Sequence, residues 1–190
     1  MTSPDKPHLR KLARATLAKM PDGDRRFRSA LINQNLVDFI DQNYPEARKI
    51  ATFASLPYEP DLSLLHALRP KVEFCYPLVT DSCNMQFHLV SDSTSLIPGK
   101  FKIPEPNPMV HPPILLDDLD LILLPGLAFD VRGFRLGHGA GYYDRLLDRI
   151  PLTPRIGISF SSQLLPHLPN EPHDHAVHTI VSDQGVRAAQ

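Results

Sequence analysis

Residues 123–144 read LLPGLAFDVRGFRLGHGAGYYD: an apolar start, a glycine-rich turn and the charged, aromatic opening of a helix. With the two residues before it, the start becomes Leu121, Ile122, Leu123 and Leu124, which show no polar alternation. Such a run suits a strand buried on both faces, as in a parallel sheet covered by helices. Ligands of these sheets bind beyond the carboxyl ends of the strands. Gly137, Gly139 and Gly141 alternate along the turn. The backbone there can approach an anion without Cβ interference and point N–H groups at phosphate oxygens. A helix that starts near Tyr142 adds its positive end.

The spacing is G-x-G-x-G, neither the G-x-x-x-x-G-K-[ST] phosphate loop nor the dinucleotide-binding G-x-G-x-x-G. Spacing alone fits a ligand-free tight turn as well as a phosphate cradle. Arg132 and Arg135 before the turn and Asp144 after it favour the cradle. Cations, amides and a carboxylate in one stretch point to a nucleotide with a metal.

Working outward, 190 residues suit one domain, 1–190, with a sizeable core. A hydrophobic content of 42%, a charged content of 22% and a formal net charge of −1 are ordinary for a soluble globular protein. They give no electrostatic reason to invoke nucleic acid or a membrane surface, which leaves small molecules as partners. Cys75 and Cys83 are not spaced as C-x-x-C, and the N-terminus is polar and basic. No apolar run approaches the roughly 20 residues that span a bilayer. The expectation is a cytoplasmic, reduced monomer.

Ser3 and Pro4 predict a helix start, after which Leu9, Leu12, Ala13, Thr16, Leu17 and Met20 form an apolar stripe. Lys6, Arg10 and Arg14 recur every four residues on another side of that helix, where they can converge on a polyphosphate or simply be solvated. A second helix is predicted over 24–42, with Ile32, Leu36, Phe39 and Ile40 toward the core. Strands are expected over 50–55, 71–76, 85–90, 121–124, 155–160 and 179–182, and helices over 61–68, 142–150 and 162–168. The alternation argues for an α/β layered sandwich. The first of these strands runs into Leu56-Pro57-Tyr58-Glu59-Pro60-Asp61, which sets a carboxylate and an aromatic ring beyond its end, a ligand-facing position.

Proline makes up 20 of the residues, about twice its usual share of about 5%. Six of them, from Pro98 to Pro113, keep 97–114 out of regular helix or central strand. That stretch is a candidate binding-site rim or a passive connection. The tail around His173, Asp174, His175 and His178 reads as a polar loop rather than a zinc site, with Asp174 a possible magnesium ligand. No G-x-S-x-G elbow or recognisable cysteine nucleophile is present, whereas phosphoryl transfer needs only positioning and charge.

The turn RLGHGAGYYD, with LLPGLAFD upstream, resembles the signature of the 5-formyltetrahydrofolate cyclo-ligase family, also called 5,10-methenyltetrahydrofolate synthetases. Four further segments match in order: Lys6 with Arg10, FASLPYEPD at 53–61, IPEP at 103–106 and LPNEPHD at 168–174. The resemblance implies a three-layer α/β/α sandwich with a mostly parallel, mixed central sheet, of the cyclo-ligase/NagB-like type. It implies ATP- and Mg²⁺-dependent cyclisation of 5-formyltetrahydrofolate to 5,10-methenyltetrahydrofolate.

Carried over by position, Lys6 and Arg10 meet the ATP phosphates, and Arg135, Leu136, Gly137, His138, Gly139, Ala140, Gly141, Tyr142 and Tyr143 form the nucleotide loop. Phe53, Leu56, Glu59, Tyr142 and Tyr143 bind the folate; Glu59, Arg135 and Tyr143 are the catalytic candidates; Asp144 and Asp174 support Mg²⁺. His138 and Ala140 stand where some members carry basic side chains, and His178 stands where an acid is frequent. The alternatives are a relative that uses ATP on another substrate and a folate- or nucleotide-binding protein without turnover.

Overall fold

The structure, a computed structural model, describes residues 5–81, 84–100 and 103–190. The expected helix start at Ser3 and Pro4 and the thiol of Cys83 lie outside them. Helix α1 (Lys6–Ala18) begins instead behind Asp5, whose side chain accepts from the His8 N–H, with Pro7 in the first turn. Helix α2 spans Asp22–Asn43, and α3 is one turn, Leu65–Leu68.

The larger strands are β1 (Lys49–Ala51), β2 (Glu73–Val79) and β3 (Met85–Leu89). Two-residue strands β4 (Ile97–Pro98) and β5 (Pro104–Glu105) follow, then β6 (Leu121–Leu124), β7 (Ala128–Asp130) and β8 (Arg135–Leu136). Helix α4 (Tyr142–Arg149) leads to β9 (Arg155–Ile158), β10 (Leu164–Leu165), β11 (Thr179–Ser182) and β12 (Gly185–Ala188).

Seven strands form the central sheet in the order β12-β11-β9-β6-β1-β2-β3. The five inner strands are mutually parallel, and each edge is closed by an antiparallel hairpin partner, β3 or β12. Side chains sort by strand parity: Leu121 and Leu123 pack with Leu17, Ile32, Leu36, Ile40 and Leu65 from α1, α2 and α3. Ile122 and Leu124 pack with Leu146 and Leu147 of α4. The unalternating apolar run is therefore buried because helices cover both faces, which is the expected three-layer α/β/α arrangement. Among the described residues no helix is long and apolar enough to cross a membrane.

The topology positions the site. From β1 the chain crosses to β2 on one side; β6 lies on the other side of β1 and leads to β9 and β11. The connections diverge between β1 and β6, so a crevice opens at their carboxyl ends.

Beyond β6, the strands β10, β7 and β8 make a small second sheet. Asp130, 1% exposed, organises it. One of its carboxylate oxygens accepts from the Arg132 and Phe134 N–H groups, and the other from Leu168 N–H and the Arg132 guanidinium. The expected helix over 162–168 is absent; a 3-10 turn, Ser161–Gln163, runs into β10. The buried Gln163 side chain accepts from Phe160 N–H and donates to the Gly126 and Leu127 carbonyls, ties that hold the segment out of helical register. In the proline-rich segment, β4 and β5 pair as a hairpin. His111, buried below it, donates from Nε2 to Ser95 Oγ and accepts at Nδ1 from Asn107 N–H.

Candidate active site

A cavity of about 730 Å³ occupies the crevice. Phe53, Leu56 and Glu59 enter it from the loop after β1, and Pro125 and residues 135–144 from the connection after β6. Lys6, Arg10 and Arg14 reach it from α1, Ile103 and Glu105 from the proline-rich hairpin, and Asp174 from the C-terminal loop. All the site residues carried over from the family resemblance thus line one cavity. A smaller cavity of about 320 Å³ lies behind the same β1 loop, against α2, and holds none of the cations of α1 or the glycine turn.

The glycine turn is shaped by arginines. Arg10 Nε donates to the Gly137 carbonyl at 2.9 Å, and Arg145 Nη2 donates to the Ala140 carbonyl at 2.9 Å. Gly139 has φ of 106°, and a Cβ there would stand 3.3 Å from the Arg10 guanidinium carbon. Gly141 has φ of 71° and caps α4 without a side-chain hydrogen bond. A Cβ on Gly141 would come within 2.7 Å of Arg145 Nη1. The left-handed backbone favours glycine at both positions, and a Cβ there would push the neighbouring guanidinium aside. Among the described residues nothing accepts from the N–H groups of 137–141, so these amides, just ahead of α4, are available to an anion.

Charges in the cavity neutralise one another in pairs. Lys6 Nζ donates to Asp174 Oδ2 at 2.6 Å and lies 3.0 Å from Glu171. Burial lowers the Lys6 pKa, but the hydrogen bonds it donates to both carboxylates, with their charge, outweigh this and the net shift is upward. Burial acts to raise Asp174, yet the Lys6 ammonium and the Glu171 N–H hold it below the usual carboxylate range. Arg135, its side chain 6% exposed, donates to Asp144 at 2.7 Å and lies over the Tyr143 ring. Burial pushes the Tyr143 phenol upward against the pull of Arg135, so it stays a hydrogen-bond donor.

Glu59, 4% exposed, accepts from Leu56 N–H on one oxygen and from His138 Nε2 at 3.0 Å on the other. This tie between the β1 loop and the glycine turn was not anticipated. The position of His138, where some relatives carry a cation, was its only sequence signal. Arg132 is a correction: it turns away from the cavity to Asp130, Asn170 and the Leu168 carbonyl, and so belongs to the small sheet. His175 and His178 are likewise engaged elsewhere, by Asp148 and by the Arg155 N–H.

Among the described residues no three His, Cys, Asp or Glu side chains group closely enough to cage a metal. Asp144 and Asp174 are separate, cation-paired carboxylates on one cavity. That donor set suits Mg²⁺, which is commonly held by one or two carboxylates together with substrate phosphates.

The chain matches the model of the 5-formyltetrahydrofolate cyclo-ligase family over residues 2–183. It belongs to the 5-formyltetrahydrofolate cyclo-ligase family. A 5-formyltetrahydrofolate cyclo-ligase of Mycolicibacterium smegmatis is 38% identical over 96 residues, which cover 50% of each chain. The match therefore spans about half the length of that relative. A cyclo-ligase of Mycoplasma genitalium is 27% identical over 183 residues, 93% of this chain and 97% of its own. Among solved structures, the 5,10-methenyltetrahydrofolate synthetase of Aquifex aeolicus superposes with a TM-score of 0.80 at 28% identity, covering 97% of this chain and 93% of that one. The mixed, mostly parallel sheet described above lies within that superposition.

Proposed function

We propose that this member catalyses the ATP- and Mg²⁺-dependent cyclisation of 5-formyltetrahydrofolate to 5,10-methenyltetrahydrofolate, with release of ADP and phosphate. The observation that carries the reading is the meeting of Lys6, Arg10, the open amides of 137–141 and the buried Glu59 on one cavity. Polyphosphate recognition and a recessed carboxylate thereby share a single space.

On this reading the γ-phosphoryl group passes to the formyl oxygen, converting a poor oxide leaving group into phosphate. N10 then closes on the activated carbon, its proton is lost, and the C–O bond to phosphate breaks. The chain's work is alignment and charge neutralisation. Lys6 and Arg10 bind phosphates, the 137–141 amides and the positive end of α4 cradle them, and Arg135 balances charge that develops on the transferred group. Tyr143, kept protonated, donates toward the pterin and formyl group beside Tyr142, and Glu59 contacts the folate near its formyl-bearing end, with Phe53 and Leu56 lining that pocket. Asp144 and Asp174 are the residues that would hold Mg²⁺, which supplies neutralisation of phosphate charge when bound.

Purified protein mixed with ATP, Mg²⁺ and 5-formyltetrahydrofolate should generate the absorbance of methenyltetrahydrofolate. No ATP-dependent signal would sink the reading. Tight folate or ATP binding without turnover would favour a non-catalytic binding protein.

A further inference from the structure

The His138 imidazole sits on the solvent-exposed glycine turn, and its partner Glu59 is 4% exposed on the opposite wall. Their 3.0 Å hydrogen bond joins residues 79 apart in sequence. Because a carboxylate only accepts, Nε2 carries the hydrogen and donates it. Glu59 is held from its own side by Leu56 N–H, and the Tyr58 ring lies 6.2 Å from the imidazole at a tilt of 50°. The carboxylate is thus a fixed post, while among the described residues Arg10 and Arg145 hold the turn that reaches it through its carbonyls.

We propose that His138 is a positioning residue that latches the glycine turn onto Glu59. The inference rests on the proposed function in one respect: if the turn seats ATP and Glu59 serves the folate, the latch couples the two sites. The nucleotide seat then depends on a carboxylate that never touches the nucleotide. A histidine acting only as a phosphate ligand would create no such dependence.

The two roles separate in ligand-free protein. Backbone 15N order parameters over 138–140 should fall from the rigid range of about 0.85 to below about 0.6 in His138→Ala, and equally in Glu59→Ala. The double variant should be no more mobile than either single one. His138→Gln, which restores an N–H donor of similar reach, should return the order parameters toward the wild-type values. ATP affinity measured without folate should fall in Glu59→Ala as it does in His138→Ala.

Unchanged order parameters in His138→Ala overturn the latch, as do additive losses in the double variant. So does loss of ATP affinity confined to His138→Ala. His138 is on an exposed turn, so its variants decide the matter even if Glu59→Ala does not fold. Wild-type turnover tests the functional reading separately, and either result can fail without the other.

Discussion

Lys6 Nζ lies 2.6 Å from Asp174 Oδ2, a bond that closes the first turn of α1 onto a loop 168 residues away. Both partners are proposed to turn toward other groups when substrates enter, Lys6 to phosphate and Asp174 to Mg²⁺. Each therefore competes with the other's ligand. Asp174→Asn removes the principal carboxylate from Lys6 and should tighten metal-free ATP binding several-fold, while shrinking the gain in affinity that Mg²⁺ provides. Calorimetric titration with ATP, once with chelator and once with Mg²⁺, measures both effects. Weaker ATP binding under chelator would show that Asp174 does not restrain Lys6.

The small sheet that presents the glycine turn depends on Asp130. This carboxylate accepts from three backbone N–H groups and from Arg132, and it is 1% exposed. Removing it leaves buried donors without acceptors, each costing about 1–3 kcal/mol. Asp130→Ala should lower unfolding stability by about 3–5 kcal/mol, and Asp130→Asn, which keeps one acceptor oxygen, by about half of that. Urea unfolding followed by circular dichroism gives both values.

These residues also mark how far the sequence could be read. Leu121 to Leu124 carry their own signal, because a strand covered on both faces has no reason to alternate. Lys6 and Arg10 lie one helical turn apart, so a local rule places them side by side. The Glu59–His138 tie obeys no local rule: it exists because β1 and β6 are neighbours in the sheet, so that the loops following them face each other. The Asp130 cluster was hidden similarly, since Leu168 N–H arrives 38 residues further on. Arg132 is close in sequence to the glycine turn, yet the Asp130 cluster takes its guanidinium. Gln163 shows the same physics against a helix prediction, its tertiary hydrogen bonds outweighing apolar spacing.

Cys75, the third residue of β2, is buried in the face covered by α4. Burial, with a smaller contribution from Glu73, pushes its thiol up to about 12. The folded state therefore holds the thiol proton more tightly than the unfolded chain, whose value is near 8.5. The stabilising contribution is complete below about pH 8.5 and is lost as pH rises toward the folded value. Native protein at pH 9 should leave Cys75 unmodified by a thiol reagent on a timescale of minutes, with rapid labelling in denaturant. Mass spectrometry of the peptide containing Cys75 reads the result, and fast native labelling would contradict the burial.

Gly139 tests the geometry of the phosphate cradle most directly. Its φ of 106° is unfavourable for an L side chain, and an alanine Cβ would sit 3.3 Å from the carbon of the Arg10 guanidinium. The strain of about 1–2 kcal/mol can be relieved only by moving the turn, because the backbone angle itself is at fault. The turn is exposed, so relief costs little global stability; the loss falls on the aligned amides and on the bond from Arg10 to the Gly137 carbonyl. Gly139→Ala should raise the KM for ATP about tenfold with an unfolding midpoint within a degree or two of wild type. Arg10→Ala should do the same through the missing cation, and the double variant should be little worse than either single one because both disrupt one arrangement. If Gly139→Ala kept wild-type ATP kinetics, or if the two effects multiplied, the amides of the turn and Arg10 would not be acting as one phosphate seat.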